Sequence, residues 1–154
     1  MQIDEKRGYL ELITFRMAEQ EFCIDVQAVR EIRGWTAATP LPHAPPFVLG
    51  MINLRGAVLP VLDLKSRLGL GVCQPSLRSV VIVVQVDDRV VGLLVDGVSE
   101  VLTVDPSSVQ PTPNVGSEQV SRFLRGIIAY DAVMISWIAL DEVLPGEIGE
   151  RAAA

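Results

Sequence analysis

Few residues in this sequence have the types and spacing that covalent chemistry requires. The single histidine, His43, lies between Pro42 and Pro45. A general base or a metal ligand needs partners, and no carboxylate or thiol stands near His43 in the chain. It reads as a solvated loop residue. Cys23 and Cys73 are the only two cysteines. They occur in unlike contexts and form no Cys-x-x-Cys pair, so a disulfide framework is not indicated. Cys23 sits in an apolar run and reads as a small buried hydrophobe. Asp87-Asp88 imitates a carboxylate pair for a cation, but two aspartates between apolar runs are turn residues first. Asp96-Gly97 reads the same way. The sequence holds no Gly-x-Ser-x-Gly, no Walker loop and no dinucleotide fingerprint. The expectation is no catalytic residue, no cofactor and no metal.

The side chain best placed for recognition is Arg55. It lies in the stretch Gly50–Leu64, where two apolar runs are split by Asn53-Leu54-Arg55-Gly56. Each run has the length and Val/Ile/Leu content of a strand. Gly56 takes the φ > 0 that the return of the chain needs. A guanidinium is therefore held at the end of a rigid strand, where its planar fork loses little entropy on pairing. The plainer alternative is a surface Arg with no partner. This stretch alone does not separate the two.

Composition narrows the class. The chain has 154 residues, 49% hydrophobic and only 5% aromatic, so its core must be mostly Val, Leu and Ile. That favours strands over helices. A net charge of −6 without a basic block removes the electrostatic source of nucleic-acid binding. No uncharged apolar run reaches the roughly 18 residues of a spanning helix, so no direct membrane insertion is expected. The charged start Met1–Arg7 has no apolar signal region. A cytoplasmic location is the expectation.

The elements that must carry Arg55 follow in order. Leu10 to Met17 alternates and predicts a half-buried strand, with Ile13, Phe15 and Met17 on the inner face. Ala18 to Glu21 is a polar connector without the Gly or Asn of a tight hairpin. Strands are predicted at Phe22–Ile24 and Val29–Trp35, with Asp25 capping one helical turn between them. Pro40, Pro42, Pro45 and Pro46 make the next segment an irregular connector. After the Arg55 hairpin, Asp63 caps a short helix that Gly69 stops. Ser79–Val86 reads as a strand buried on both faces. Arg89–Val95 and Val98–Val104 follow, then a long loop over 105–121. Leu124–Tyr130 and Ala132–Ile138 form a last hairpin about Asp131, and one helical turn spans Leu140–Leu144.

The two halves repeat. Gly50-Met51-Ile52 matches Gly126-Ile127-Ile128, and Val29-Arg30-Glu31-Ile32 matches Val98-Ser99-Glu100-Val101. Two copies are too few for a solenoid and instead suggest two similar barrels. Barrels of some 60–70 residues are marginal alone, so they should share apolar surface. The seam between them is the expected groove for a partner.

These motifs resemble the CheW family of chemotaxis coupling (adaptor) proteins over about residues 10–145. The resemblance rests on Ile24-Asp25 with Val29-Arg30-Glu31-Ile32-Arg33-Gly34, on Asn53-Leu54-Arg55-Gly56 with Val58, Pro60 and Asp63-Leu64, and on Val90-Val91-Gly92 with Val95-Asp96-Gly97-Val98. It implies an all-β fold of two SH3-like five-stranded β-barrel subdomains around a shared hydrophobic core, with a few short helices. The domain would span 9–145, its barrels about 9–70 and 77–145, with strand exchange between them left open and tails at 1–8 and 146–154. The implied function is a non-enzymatic adaptor joining the cytoplasmic tip of methyl-accepting chemotaxis receptors to the regulatory domain of the histidine kinase CheA. The alternative is a scaffold of a related pathway, for surface motility or second-messenger control. By motif match, receptor contact would involve Val26, Val29, Glu31, Arg55, Val80 and Val81. Gln110 and Val115 are the ring or kinase interface candidates. Some relatives carry a basic and an aromatic residue there, where this chain has Gln110 and Val115, so the resemblance does not carry the higher-order ring contact over to this chain. A rival enzyme reading predicts a deep polar pocket with a perturbed acid or base. A rival dimer reading predicts self-association through the groove.

Overall fold

A computed structural model describes residues 8–112 and 121–144. Eleven strands there form two sheets. They are β1 (Leu10–Met17), β2 (Gln20–Asp25), β3 (Val29–Gly34), β4 (Val48–Leu54), β5 (Ala57–Asp63), β6 (Val80–Val86), β7 (Arg89–Val95), β8 (Gly97–Val104), β9 (Val109–Gln110), β10 (Leu124–Tyr130) and β11 (Val133–Ile138). Two short helices follow the hairpins, α1 (Leu64–Arg67) after β5 and α2 (Leu140–Val143) after β11. No helix among the described residues is long and apolar enough to cross a membrane.

The first sheet has the order β3-β6-β7-β5-β4 and the second β8-β1-β2-β11-β10-β9. Each has one parallel pair, β5 with β7 and β2 with β11, among antiparallel neighbours. Sheet membership does not follow the split at 9–70 and 77–145. The β1-β2 hairpin of the first half joins β8 and β11, and the β6-β7 hairpin of the second half joins β3 and β5. The halves therefore exchange a hairpin each.

This exchange explains why the chain is apolar on so many strand faces. Strand side chains alternate between faces. On β6, Val81 and Val83 fill the inside of the first sheet, while Ile82 and Val84 face the other way into a core shared by both sheets. On β2, Cys23 lies inside the second sheet while Phe22 and Ile24 enter the shared core. The half-buried pattern expected for β1 is corrected on the same grounds. Ile13, Phe15 and Met17 enter the shared core, but Leu12 is also fully buried, inside the second sheet. Thr14 is buried too, its Oγ1 donating to the Glu100 carbonyl and accepting from the Glu100 N–H, both at 3.1 Å.

The seam is consequently full. Phe15, Ile24, Leu62, Ile82, Leu93, Phe123 and Val143 pack there with almost no exposure. Side chains of this kind each stabilise the fold by about 1.5–3 kcal/mol when buried. The expected apolar groove along the seam is replaced by packed core. On that line lies an open hollow of about 430 Å³, its lining divided between polar side chains such as Asp25, Gln85 and Arg125 and the apolar Ala28, Val86, Ile138 and Leu140.

Candidate recognition site at the end of the first sheet

The Arg55 hairpin closes with a two-residue turn, Leu54 pairing with Ala57. Arg55 takes φ 52° and Gly56 φ 90°, so the left-handed backbone is shared by both residues rather than left to Gly56 alone. Asn53 stabilises the turn, its Oδ1 accepting from the Gly56 N–H at 3.0 Å. Ala18-Glu19, without Gly or Asn, makes the same kind of tight turn at φ 53° and 64°. Asp96 offsets that strain by accepting the Ala18 N–H through Oδ2 at 3.1 Å.

The turn fixes where Arg55 reaches. Its guanidinium pairs with Glu31 on β3, and Arg33 flanks the same carboxylate at 3.6 Å. The hydrogen bond from Arg55, then its charge and that of Arg33, hold the Glu31 carboxyl below its ordinary value against the opposing effect of desolvation. The same pairing raises Arg55. The Arg55 side chain is still 71% exposed and keeps donors to spare.

Beside this pair lies an open depression of about 550 Å³. Leu54, Leu59 and Val83 lie at its buried side, and Val58, Arg30, Asp88 and Arg89 stand around them. Its apolar part is the inside of the first sheet showing at one end. Three arginines and two acids rim it, in a chain whose net charge is −6. Of the residues expected at a receptor contact, the structure brings only Glu31 and Arg55 together here. Val26, Val29 and Val80 are partly buried and pack on the shared core. Val81 is 2% exposed inside the first sheet, so it supports the wall and presents nothing to a partner. Arg30, Val58 and Arg89 were not singled out from sequence. Arg89 follows the Asp87-Asp88 turn directly, and that juxtaposition was the available signal.

Gln110 is exposed on β9, a two-residue strand inside the segment expected to be loop. Val115 lies outside the described residues. His43 is exposed on the proline-rich connector at φ 61°. Asp25 does not cap its helical turn and instead pairs with Arg125 at 3.7 Å. Burial raises the Asp25 carboxyl, and Arg125 partly offsets this.

Burial and then the Asp25 charge push the Cys23 thiol up to about 12. Burial, Asp96 and Asp63 push Cys73 up to about 11, with Lys65 opposing. Neither thiol is therefore a thiolate nucleophile near neutral pH. Among the described residues no group of three or more His, Cys, Asp or Glu is arranged to hold a metal ion.

Two SH3-like sheets sharing a core, with an open, charge-rimmed depression at the end of the first, define the class of this small β domain. A family model described as CheW-like domain matches residues 11–147. The chain is 56% identical over 147 residues to the chemotaxis protein CheW of Rhizobium meliloti (strain 1021), covering 96% of this chain and 94% of that one. It is 32% identical to the chemotaxis protein CheW of Klebsiella aerogenes over 89% of this chain and 82% of the relative. The crystal structure of the scaffolding protein TtCheW from Thermoanaerobacter tengcongensis superposes with a TM-score of 0.81 at 35% identity, covering 88% of each chain. The chain belongs to the CheW family and is a chemotaxis scaffold.

Proposed function

We propose that this protein is a non-catalytic adaptor that couples methyl-accepting chemotaxis receptors to the histidine kinase CheA. It works in the cytoplasm, recruited to membrane-associated receptor arrays. The observation that carries the reading is Arg55, held by a tight turn at the charged rim of a depression with an apolar floor and tied to Glu31. A helical receptor hairpin would lay its apolar face over Val58 and the floor behind it, the helix-in-groove mode. Arg55 would add a charge-assisted bond to a receptor carboxylate or carbonyl. In this reading Val26, Val29, Val80 and Val81 act by fixing the strands that carry the contact. The regulatory domain of CheA uses a different face, for which Gln110 and Val115 are the candidates. The high identity to proteins named for chemotaxis favours this pathway over a related chemosensory one.

The test is a titration of Arg55→Ala against a fragment of the receptor tip and, separately, against the CheA regulatory domain. Receptor affinity should fall about tenfold or more, as for a hot-spot arginine. Kinase affinity should hold. Unchanged receptor affinity would remove Arg55 from the contact.

A further inference from the structure

The carbonyls at the end of a helix lack intrahelical partners. At the end of α2 those of Glu142, Val143 and the following Leu144 are met by arginines of α1 and β7, although α2 itself follows β11 of the second sheet. Arg67 on α1 donates through Nε to Val143 O at 2.9 Å and through Nη2 to Glu142 O at 3.4 Å. Its guanidinium is held between the rings of Phe47 and Phe123, at 4.5 and 4.8 Å. Arg89 donates through Nη1 to Leu144 O at 2.7 Å. The α2 turn is thus a strap between the two sheets, with its own Val143 and Leu144 side chains buried in the shared core.

The two arginines differ in what else they touch. Arg67 is committed to the strap. Arg89 also lines the depression beside Arg55. We infer that Arg89 links the depression to the α2 strap, so that a partner carboxylate in the depression loosens the strap and a loosened strap favours the partner. The inference rests on the receptor reading of the depression. A carboxylate offers the guanidinium two charged acceptors, whereas Leu144 O is one neutral acceptor, so the incoming group wins the competition. Any such effect is reciprocal, because the binding and the strap share one free-energy cycle.

Amide hydrogen exchange at Glu142, Val143 and Leu144 reads the strap, since these N–H groups bond to Ala139 O, Ala139 O and Leu140 O. Arg89→Gln should speed their exchange about tenfold, the effect of removing one charge-assisted bond. Arg30→Gln, at the same depression but bonded to Gln85, should leave it unchanged. Adding a receptor-tip hairpin fragment to the unmodified protein should speed exchange at the same three amides. If the fragment binds and their exchange is unchanged or slower, the link is overturned while the receptor reading stands. If the fragment does not bind, both fall.

Discussion

Asp63 is the most demanding test of how the first sheet is joined to its surroundings. Its side chain is 1% exposed. Oδ1 accepts the Ser66 N–H at 3.2 Å and caps α1, while Oδ2 accepts the Cys73 N–H at 2.9 Å and pins the segment after α1. Asp63→Ala removes both acceptors at once. Losing the cap costs about 1 kcal/mol. The Cys73 N–H, on a residue 4% exposed, is then left buried without a partner, at about 1–3 kcal/mol. The sum is roughly 2–4 kcal/mol, and a chain of this size loses roughly 2–4 °C of Tm per kcal/mol. Circular dichroism melts should therefore show Asp63→Ala lowered by roughly 5–15 °C. Asp63→Asn keeps one acceptor oxygen but turns an NH2 group towards the other donor, so it should fall between the two. An unshifted Asp63→Ala midpoint would refute the capping account.

Two further outcomes follow from local geometry. Gly50 has φ 149°, and a Cβ there would lie 2.2 Å from Thr39 O, so Gly50→Ala forces backbone apart at the Thr39–Met51 bridge. Urea unfolding should show it destabilised by roughly 2 kcal/mol or more, whereas Gly34→Ala, with nothing within 4 Å of its Cβ, should stay near wild type; equal effects would show that the bridge does not constrain Gly50. Glu31 has a lowered pKa, so its pairing supports the fold above the unpaired value of 4.5 and is lost as pH falls through the folded one. Carboxylate NMR titration should place Glu31 below 4.5 in the native protein and return it towards that value in Arg55→Ala; a midpoint that does not move would mean Arg55 is not the cause.

Much of this fold was legible because strand periodicity and turn residues are local signals. The Arg55 hairpin, the Asp63 cap, the Gly69 stop and the last hairpin about Asp131 all stand where residue type put them. The misses share a cause, which is that pairing is non-local. β9 is only two residues long and exists because Gln110 lies opposite Ile127, which no property of residues 105–121 announces. Leu12 looked like the wet face of β1 because alternation cannot tell solvent from a second core. The groove was placed on the seam for the same reason, since the apolar surplus that suggested it is what fills it. At the site, Arg55 was readable from its own turn. Arg30 and Arg89 were not, because the non-local pairing of β3 with β6, β6 with β7 and β7 with β5 brings them beside it.

The internal repeat turns these features into one argument. Gly50 and Gly126 both stand at register shifts, one against Thr39 O and the other against Gln110 O. Arg55 and Asp131 occupy the same position in their turns, at φ 52° and 51°. Glu31 opposes Val83 on β6, and Glu100 opposes Thr14 on β1. Backbone geometry has thus been kept in both copies while the rim has not. The first copy sets an arginine against Glu31. The second sets Asp131 in the place of that arginine, with Glu100 in the place of Glu31, and like charges cannot make the pair. What the copies share is therefore what the common core needs from each of them, and what differs is the exposed rim. The break falls at Arg55, the same residue that the local reading of its hairpin singles out.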